Sequence, residues 1–439
     1  MEKCPIPPLV VPASENYPEE LFPTPGCEGA IQRPGPAWVT DEKGYGSKVT
    51  DDILPHGWGL HAKSWCTLKI VEDVAHWGNR SVCISPARDG GARERPSNFR
   101  VDAGKQGPRP VRPGQIYNFS MWYKTAGAAG ISAKVFVFGP PGFDPASGAR
   151  FRVLNLAATG TSAEWKRLQT YIISPPKAEE LGAVIIGGSL DHPDARIWID
   201  DLSLRQAPTA KLPLTERAPI IDGRLDDAVW GSAGVIDWTK ALAPINGAKP
   251  AAAQETNCRL LRDAQNLYVA VRCHEPSMDS IHSVSAAADW EDREVRRLNR
   301  VELFIVPASG DSPPIYRFVV NAPGNHAGLR YGEPRNGYED WSTTWEANTG
   351  WEKDAWTVEA RIPITDIGHK TWAESGILRF NLLRARKLED TPAAISVWSP
   401  PSHYLQAPKL TATSAPMSAW LPLRPDVDAI LDTGLLILK

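Results

Sequence analysis

The chain has 439 residues and a formal charge of −3, with 48 Lys+Arg against 51 Asp+Glu; at roughly 100–200 residues per domain it holds two or three domains, and its charge balance sets aside a nucleic-acid groove or an anionic-membrane patch. No apolar run approaches the ~18 residues that cross a bilayer, so no membrane insertion is expected. Pro 40 and Gly 35 fall in short punctuating doses and Trp 17 exceeds both Tyr 10 and Phe 10, which favours an all-β chain with bulky cores or stacking platforms for flat ligands.

Residues 1–22 carry Pro5, Pro7, Pro8, Pro12 and Pro18 without a periodic pattern and read as an extended tail or linker. Their first twenty residues lack the basic start and apolar stretch of a secretion signal, so the chain is either cytosolic or follows a signal already removed. From 23 to 206, strand-like runs recur at 67–71, 81–85, 115–125, 134–138, 166–173, 183–187 and 196–204. The run 115–125 alternates, with Tyr117, Phe119, Met121 and Tyr123 on one face and Asn118, Ser120, Trp122 and Lys124 on the other. Residues 207–219, with Pro208 and Pro213, read as a linker. Further strands are expected at 257–261, 267–274, 300–306, 316–321, 355–362 and 377–384. The single helix candidate is 290–298, with a loop as its alternative, and the end of 424–439 offers a last strand. The fold class that follows is all-β: two antiparallel β-sandwich (jelly-roll-like) domains in tandem, the second spanning 220–439.

The second half carries a series of motifs. Ile221-Asp222-Gly223-Arg224-Leu225-Asp226-Asp227-Ala228-Val229-Trp230 resembles the "I-D-G-x-x-D-x-x-W" opening of family 9 carbohydrate-binding modules. Leu267-Tyr268-Val269, Val301-Glu302-Leu303-Phe304, Tyr316-Arg317-Phe318, the run from Trp356 to Pro363, Leu378–Arg384 and Val397-Trp398-Ser399 follow in that family's order, so the resemblance spans about 215–422. The first half is similar, more loosely, to the jelly-roll modules of carbohydrate-binding families 4 and 22. Its matching pieces are residues 21–28, 76–84, 117–124, 165–168 and 196–202, blocks that mark the fold rather than the ligand.

The resemblance implies polysaccharide or oligosaccharide binding. Sugar rings have apolar C–H faces that stack on aromatic rings, while Arg, Asn, Glu or Gln read the hydroxyls. The family's first aromatic maps onto Trp290, although twelve residues separate it from Glu302, more than the family spacing. The family's Glu maps onto Glu302, with a solvated edge position as the alternative, and its Arg onto Arg317. The second aromatic falls in a loop that here holds Tyr404 and no Trp. Trp341 or Trp345, after the acidic pair Glu339-Asp340, is a further surface candidate. Trp122, on the polar face of its strand, would line the groove of the first module or else pack.

Calcium is the metal implied, because hard cations take carboxylate and carbonyl oxygens. The resemblance puts it between Glu28 and Asp200, with surface carboxylates as the alternative. Cys66 and Cys83 sit on neighbouring expected strands, as do Cys258 and Cys273, so cross-strand disulfides and buried thiols both remain open. No histidine motif, phosphate loop or nucleophile elbow appears. Asp200-Asp201 and Asp226-Asp227 are adjacent, so within a strand they point to opposite faces. The expectation is therefore a non-catalytic, secreted or cell-surface glycan-binding protein, possible as an accessory to a glycoside hydrolase catalytic domain or partner. Its rivals are a glycoside hydrolase or lyase with acids on one sandwich face, a structural or adhesion sandwich, and a haem-binding domain using Met278 with His274 or His282.

Overall fold

A computed structural model describes residues 27, 31–32, 54–55, 58–60, 66–76, 79–86, 97–103, 109–111, 113–127, 129–190, 192–238, 241–242, 255–281, 299–307, 314–332, 341, 343–368, 377–386, 394–397 and 434–438. Their contacts divide the chain into two units that part between Gln206 and Ala207. Both are built from β-sheets, and the all-β expectation holds. Trp290, Tyr404, Glu28 and the helix candidate at 290–298 lie outside the described residues.

In the first unit a five-stranded antiparallel sheet runs in the order Lys166–Ile173, Ile116–Ala126, Arg196–Gln206, Ser81–Pro86, Cys66–Val71. A six-stranded sheet carries Phe151–Thr159, Ala129–Phe138, Glu180–Leu190, Ser97–Ala103 and Gly59–Leu60, with Arg109–Pro110 pairing on Glu180–Leu190. The alternation of Ile116–Ala126 sends Phe119 and Met121 inward to meet Ile131, Ala133, Val135 and Val137. Each such side chain contributes about 1.5–3 kcal/mol on burial. Trp58 belongs to this core.

The second unit faces a five-stranded sheet, ordered Gly234–Trp238, Thr256–Arg262, Asn266–His274, Ala355–Pro363, Glu346–Trp351, against an eight-stranded one. The larger sheet holds Thr209–Lys211, Gly434–Ile437, Ile377–Arg386, Arg300–Val306, Ile315–Asn321 and His326–Tyr331 in order, with Ala394–Val397 and Ala241–Leu242 alongside. Thr209–Lys211 lies in the stretch expected to be a linker. It pairs in parallel with Gly434–Ile437, the last strand anticipated at the chain's end, and Leu212 behind it is wholly buried.

The opening motif folds onto the outer face of the five-stranded sheet. Trp230 packs there with Leu261, Tyr268 and Ala270. Gly223 has φ +86 and passes so close to the neighbouring strand that a Cβ would lie 2.4 Å from the Thr349 carbonyl carbon. Glycine alone satisfies both demands. The Thr357 hydroxyl donates to the Gly223 carbonyl at 2.6 Å. The carboxylate of Glu359 accepts the N–H groups of Asp222 at 3.1 Å and Gly223 at 3.0 Å and the Trp230 indole N–H at 2.8 Å.

The cysteine pairs do not bond, and all four are thiols. Cys66 stands opposite Pro86, whereas Cys83 stands opposite Lys69, so the two side chains leave opposite faces of one sheet. Cys258 stands opposite Val271 and Cys273 opposite Thr256. They share a face on a diagonal, with Cα atoms about 7–8 Å apart, beyond disulfide reach. Burial pushes the Cys66 thiol up to about 12 and the Cys273 thiol to about 11.

Candidate functional site

Strand Arg300–Val306 sends Val301, Leu303 and Ile305 into the core of the second unit. Period-2 alternation then puts Arg300, Glu302 and Phe304 on the other face of the eight-stranded sheet. The register sets Glu302 opposite Val319 and Arg317 opposite Phe304 on the adjoining strand, leaving Glu302 and Arg317 diagonal neighbours. The Glu302 carboxylate accepts Arg300 Nε at 2.6 Å and Arg317 Nε at 2.7 Å, with Arg317 Nη2 at 2.6 Å. Arg317 Nη1 donates to the Tyr331 hydroxyl at 3.1 Å, and its guanidinium carbon lies 5.6 Å from the Phe304 ring centre.

Glu302 is 1% exposed, so it is not a solvated edge residue. Burial by itself would raise its pKa, but Arg317 and Arg300 outweigh that and hold the carboxyl below its usual range. Three of its roughly four lone-pair sites are occupied by guanidinium N–H groups. The carboxylate therefore fixes the rotamer and charge of Arg317, whose planar guanidinium is itself only 4% exposed and is held in a set orientation. Sequence reasoning found this pair and missed Tyr331, whose hydroxyl completes it from strand His326–Tyr331.

Trp341 goes elsewhere. Its ring centre lies 5.1 Å from that of Tyr316 and 5.5 Å from that of Phe318. Those two rings belong to the core face of the strand whose other face carries Arg317. The structure brings Glu302 and Arg317 together and separates Trp341 from them. Trp345 is buried edge-on against Phe318 at 4.9 Å. Met278, the single methionine weighed for a haem, is buried in the core.

In the first unit a second cluster forms around His76, in the polar stretch between two strands. Strand Arg196–Gln206 is irregular between Asp200 and Ser203, and Asp201 adopts φ +46. This bulge overturns the expectation that the adjacent carboxylates point to opposite faces. Asp200 accepts the His76 backbone N–H at 2.9 Å and the Asp201 backbone N–H at 2.8 Å. Asp201 Oδ2 lies 2.7 Å from His76 Nδ1. The His76 ring stacks on Trp122 with centres 3.8 Å apart and planes 13° apart, and Trp165 meets His76 edge-on at 5.7 Å. One face of the Trp122 indole is thus occupied by imidazole. Asp200 is fully buried, and Asp201 Oδ1 is buried with no hydrogen-bond partner among the described residues. Among those residues no three His, Cys, Asp or Glu side chains gather as a metal site.

Two sandwiches in series, the second holding a guanidinium and a carboxylate that are both buried, are the frame of a binding module. Residues 221–387 match the family described as carbohydrate family 9 binding domain-like, so the second unit carries such a domain. No curated protein matches the chain. A family 9 carbohydrate binding module from Caldicellulosiruptor kristjanssonii, solved with cellotriose, is 16% identical with a TM-score of 0.33, covering 52% of this chain and 93% of that one. The same organism's module with glucose is 15% identical at TM-score 0.32, covering 52% and 95%. The C-terminal family 22 module of a Clostridium thermocellum xylanase is 15% identical at TM-score 0.23, covering 34% and 87%.

Proposed function

We propose that this protein is a non-catalytic glycan-binding protein whose second unit takes a polysaccharide or oligosaccharide at the face bearing Arg317. The observation that carries the reading is the family 9-like match over 221–387 together with the Glu302–Arg317 ion pair inside it. Arg317 is 4% exposed, so what would reach a sugar hydroxyl is the edge of a guanidinium already held by Glu302, which loses no rotamer freedom on binding. Trp290 and Tyr404 are the aromatic partners of this reading, stacking on the C–H faces of the sugar. It also includes a secreted or cell-surface setting, in which the protein would serve glycan degradation beside a glycoside hydrolase.

Calcium in the first unit is part of the same proposal. Two buried carboxylates meet at His76, Asp200 at its backbone N–H and Asp201 at its ring, and one Asp201 oxygen has no hydrogen-bond partner among the described residues. Such a donor set fits a hard cation, with Asp200 and Glu28 as its carboxylate ligands. The ion would offset buried negative charge and hold the His76 loop against the sheet.

The test is affinity electrophoresis of the full chain through soluble glucans, xylans and galactans, with a reducing-sugar assay on the same mixtures. Retardation that Arg317→Lys, Trp290→Ala and Tyr404→Ala each weaken supports the reading. A folded protein that no glycan retards overturns it in favour of a structural sandwich, and release of reducing sugar makes it an enzyme. For calcium, a chelator should lower the melting temperature of wild type and leave Asp200→Asn unmoved. Equal melting with and without chelator removes the ion.

A further inference from the structure

Strand Phe151–Thr159 is an edge of the six-stranded sheet in the first unit, and among the described residues it pairs on one side only, with Ala129–Phe138. Antiparallel partners alternate between pairs that exchange both hydrogen bonds and pairs that exchange none. The Gly139 N–H donates to the Arg150 carbonyl at 2.9 Å, and the register of the next residues, Phe151 opposite Phe138, sets those two opposite each other. The pairs Arg152–Val137 and Leu154–Val135 are therefore the bonded ones. The backbone groups of Phe151, Val153 and Asn155 point away from the sheet. The Phe138 carbonyl agrees with this phase, because it turns from Phe151 to accept the Glu179 N–H at 2.9 Å on its other side.

This edge lacks the devices that keep sheet edges apart, which are shortness, lysine and proline. Among the described residues, the first unit's other edges have them. Gly59–Leu60 is two residues long, Cys66–Val71 exposes Lys69, and Lys166–Ile173 opens on Lys166 and Arg167. The stretch from Phe151 to Leu156 holds neither Lys nor Pro. Phe151 and Val153 are 42% and 43% exposed, and Asn155 is exposed beside them. The Phe151 ring centre lies 5.5 Å from that of Phe136 and 6.2 Å from that of Phe138, so an apolar strip runs up to the edge. Residues 151–154 line an open depression of about 410 Å³ with Asp144, Pro145 and Ser147. A shift of register between Asn155 and Ala157 ends the flat stretch.

The stretch is complementary to itself. A second copy turned about a two-fold axis at Val153 sets Val153 against Val153 and Phe151 against Asn155, and about six backbone hydrogen bonds close in the phase that the free groups require. Arg152 then faces Leu154 of the second copy rather than its like. Each Arg152 Nε already lies 3.8 Å from its own Asp144, so the flank is neutral and two copies approach without repulsion. We propose that the edge from Phe151 to Asn155 is a self-association surface, at which two copies of this chain pair antiparallel and join their six-stranded sheets. So short a pairing falls at the small end of specific interfaces, below about 1,200 Å², and the dimer forms reversibly at roughly 10–100 μM protein. Such a dimer would carry the Arg317-bearing unit twice and raise avidity for a polymer, although its formation does not depend on that reading.

Sedimentation velocity of the full chain from about 1 to about 500 μM tests this, with hydrogen exchange read residue by residue at both ends of the range. A reversible monomer–dimer equilibrium is expected. The amides of Val153 and Asn155 should slow as the dimer forms, while those of Arg152 and Leu154 stay slow throughout. Val153→Pro removes an N–H that the fold does not use, so it should raise the dissociation constant at least about tenfold without lowering the melting temperature. Arg152→Pro, one residue earlier, removes a ladder hydrogen bond and should lower the melting temperature instead. Val153→Lys brings like charges together at the axis and should weaken the dimer by about tenfold, which keeps the test decisive if the proline variant does not fold. A chain that stays monomeric at the highest concentration overturns the inference, as does a dimer that both Val153 variants leave intact. Slow exchange of Val153 and Asn155 at every concentration would place another segment of the same chain on the edge. Open-ended oligomers would mean that the contact is not two-fold, and either result overturns the proposal.

Discussion

Glu302 and Glu359 sit in the same unit, on two different sheets, and both are buried to within 1% of complete. Their carboxyls respond in opposite directions. Burial raises each, but at Glu302 two guanidiniums reverse the sign and the pKa falls below the usual range. At Glu359 the hydrogen-bond partners are two backbone N–H groups and an indole, none with a full charge, and desolvation wins, pushing the pKa to about 7. The difference teaches that burial alone does not set the state of an acid here; the charge of its partners does. It also separates two jobs. Glu302 orients a cation in the candidate site, whereas Glu359 pins the opening motif to the sheet behind it.

The largest break in this comparison should come from Glu302→Ala. It leaves Arg317 buried without the counter-charge of Glu302, at a cost of about 3–5 kcal/mol in denaturant unfolding of the full chain. Replacing Arg300, Glu302 and Arg317 together by apolar residues of similar volume should restore most of that stability while abolishing glycan binding. A cost under about 1 kcal/mol for the single variant would mean that the charges reach solvent and the ion pair is not buried.

Glu359→Gln should cost less, about 1–3 kcal/mol. The amide has a single acceptor oxygen, so its NH₂ must meet either the indole N–H or the backbone N–H groups of Asp222 and Gly223. The pH profile sharpens the contrast. Glu359 binds its proton more tightly folded than unfolded, so its favourable contribution is complete below the ordinary value of 4.5. It is lost as pH rises to about 7. Glu302 has the opposite sign, its contribution present above the ordinary carboxylate pKa and lost on acidification through the depressed one. The stability difference between wild type and Glu359→Gln should therefore shrink from pH 4.5 to 7. A flat difference across that window would show that Glu359 does not titrate there.

Much of this was legible in the sequence because period-2 alternation survives in strands that bury one face. The bounds of Lys166–Ile173 and Arg300–Val306 were legible as strand-like runs although the second is buried on both faces, and the order of motifs led to Glu302 and Arg317. What alternation cannot show is a change of register or a second buried face. The bulge at Asp201 turns two adjacent carboxylates onto His76, and no spacing rule anticipates an αL aspartate within a strand. The observed pairing, Cys66 opposite Pro86 and Cys83 opposite Lys69, puts the two cysteines on opposite faces although they flank one turn. Trp341, polar in its sequence setting, closes the core beside Tyr316. The run 134–138 was legible as a strand, but only the observed inward set of Val135 and Val137 shows that Phe136 and Phe138 point outward.

The smallest effect belongs to a pair that looks like the largest on paper. Glu346 and Arg361 stand directly opposite on adjacent strands with Nη2 3.0 Å from the carboxylate, but their side chains are 42% and 43% exposed. Water screens the attraction, so Glu346→Ala should cost no more than about 1 kcal/mol. The cost should fade further in 1 M salt, where the screening length falls to about 3 Å. The Glu302 pair, shielded from ions, should keep its cost in the same salt. Measured side by side, the two variants isolate burial while holding residue types and sheet context alike. Equal costs, or equal sensitivity to salt, would mean that desolvation is not what distinguishes the Arg317 site from an ordinary surface pair. The orientation of that guanidinium would then have to come from the packing of Phe304 and Tyr331 around it instead.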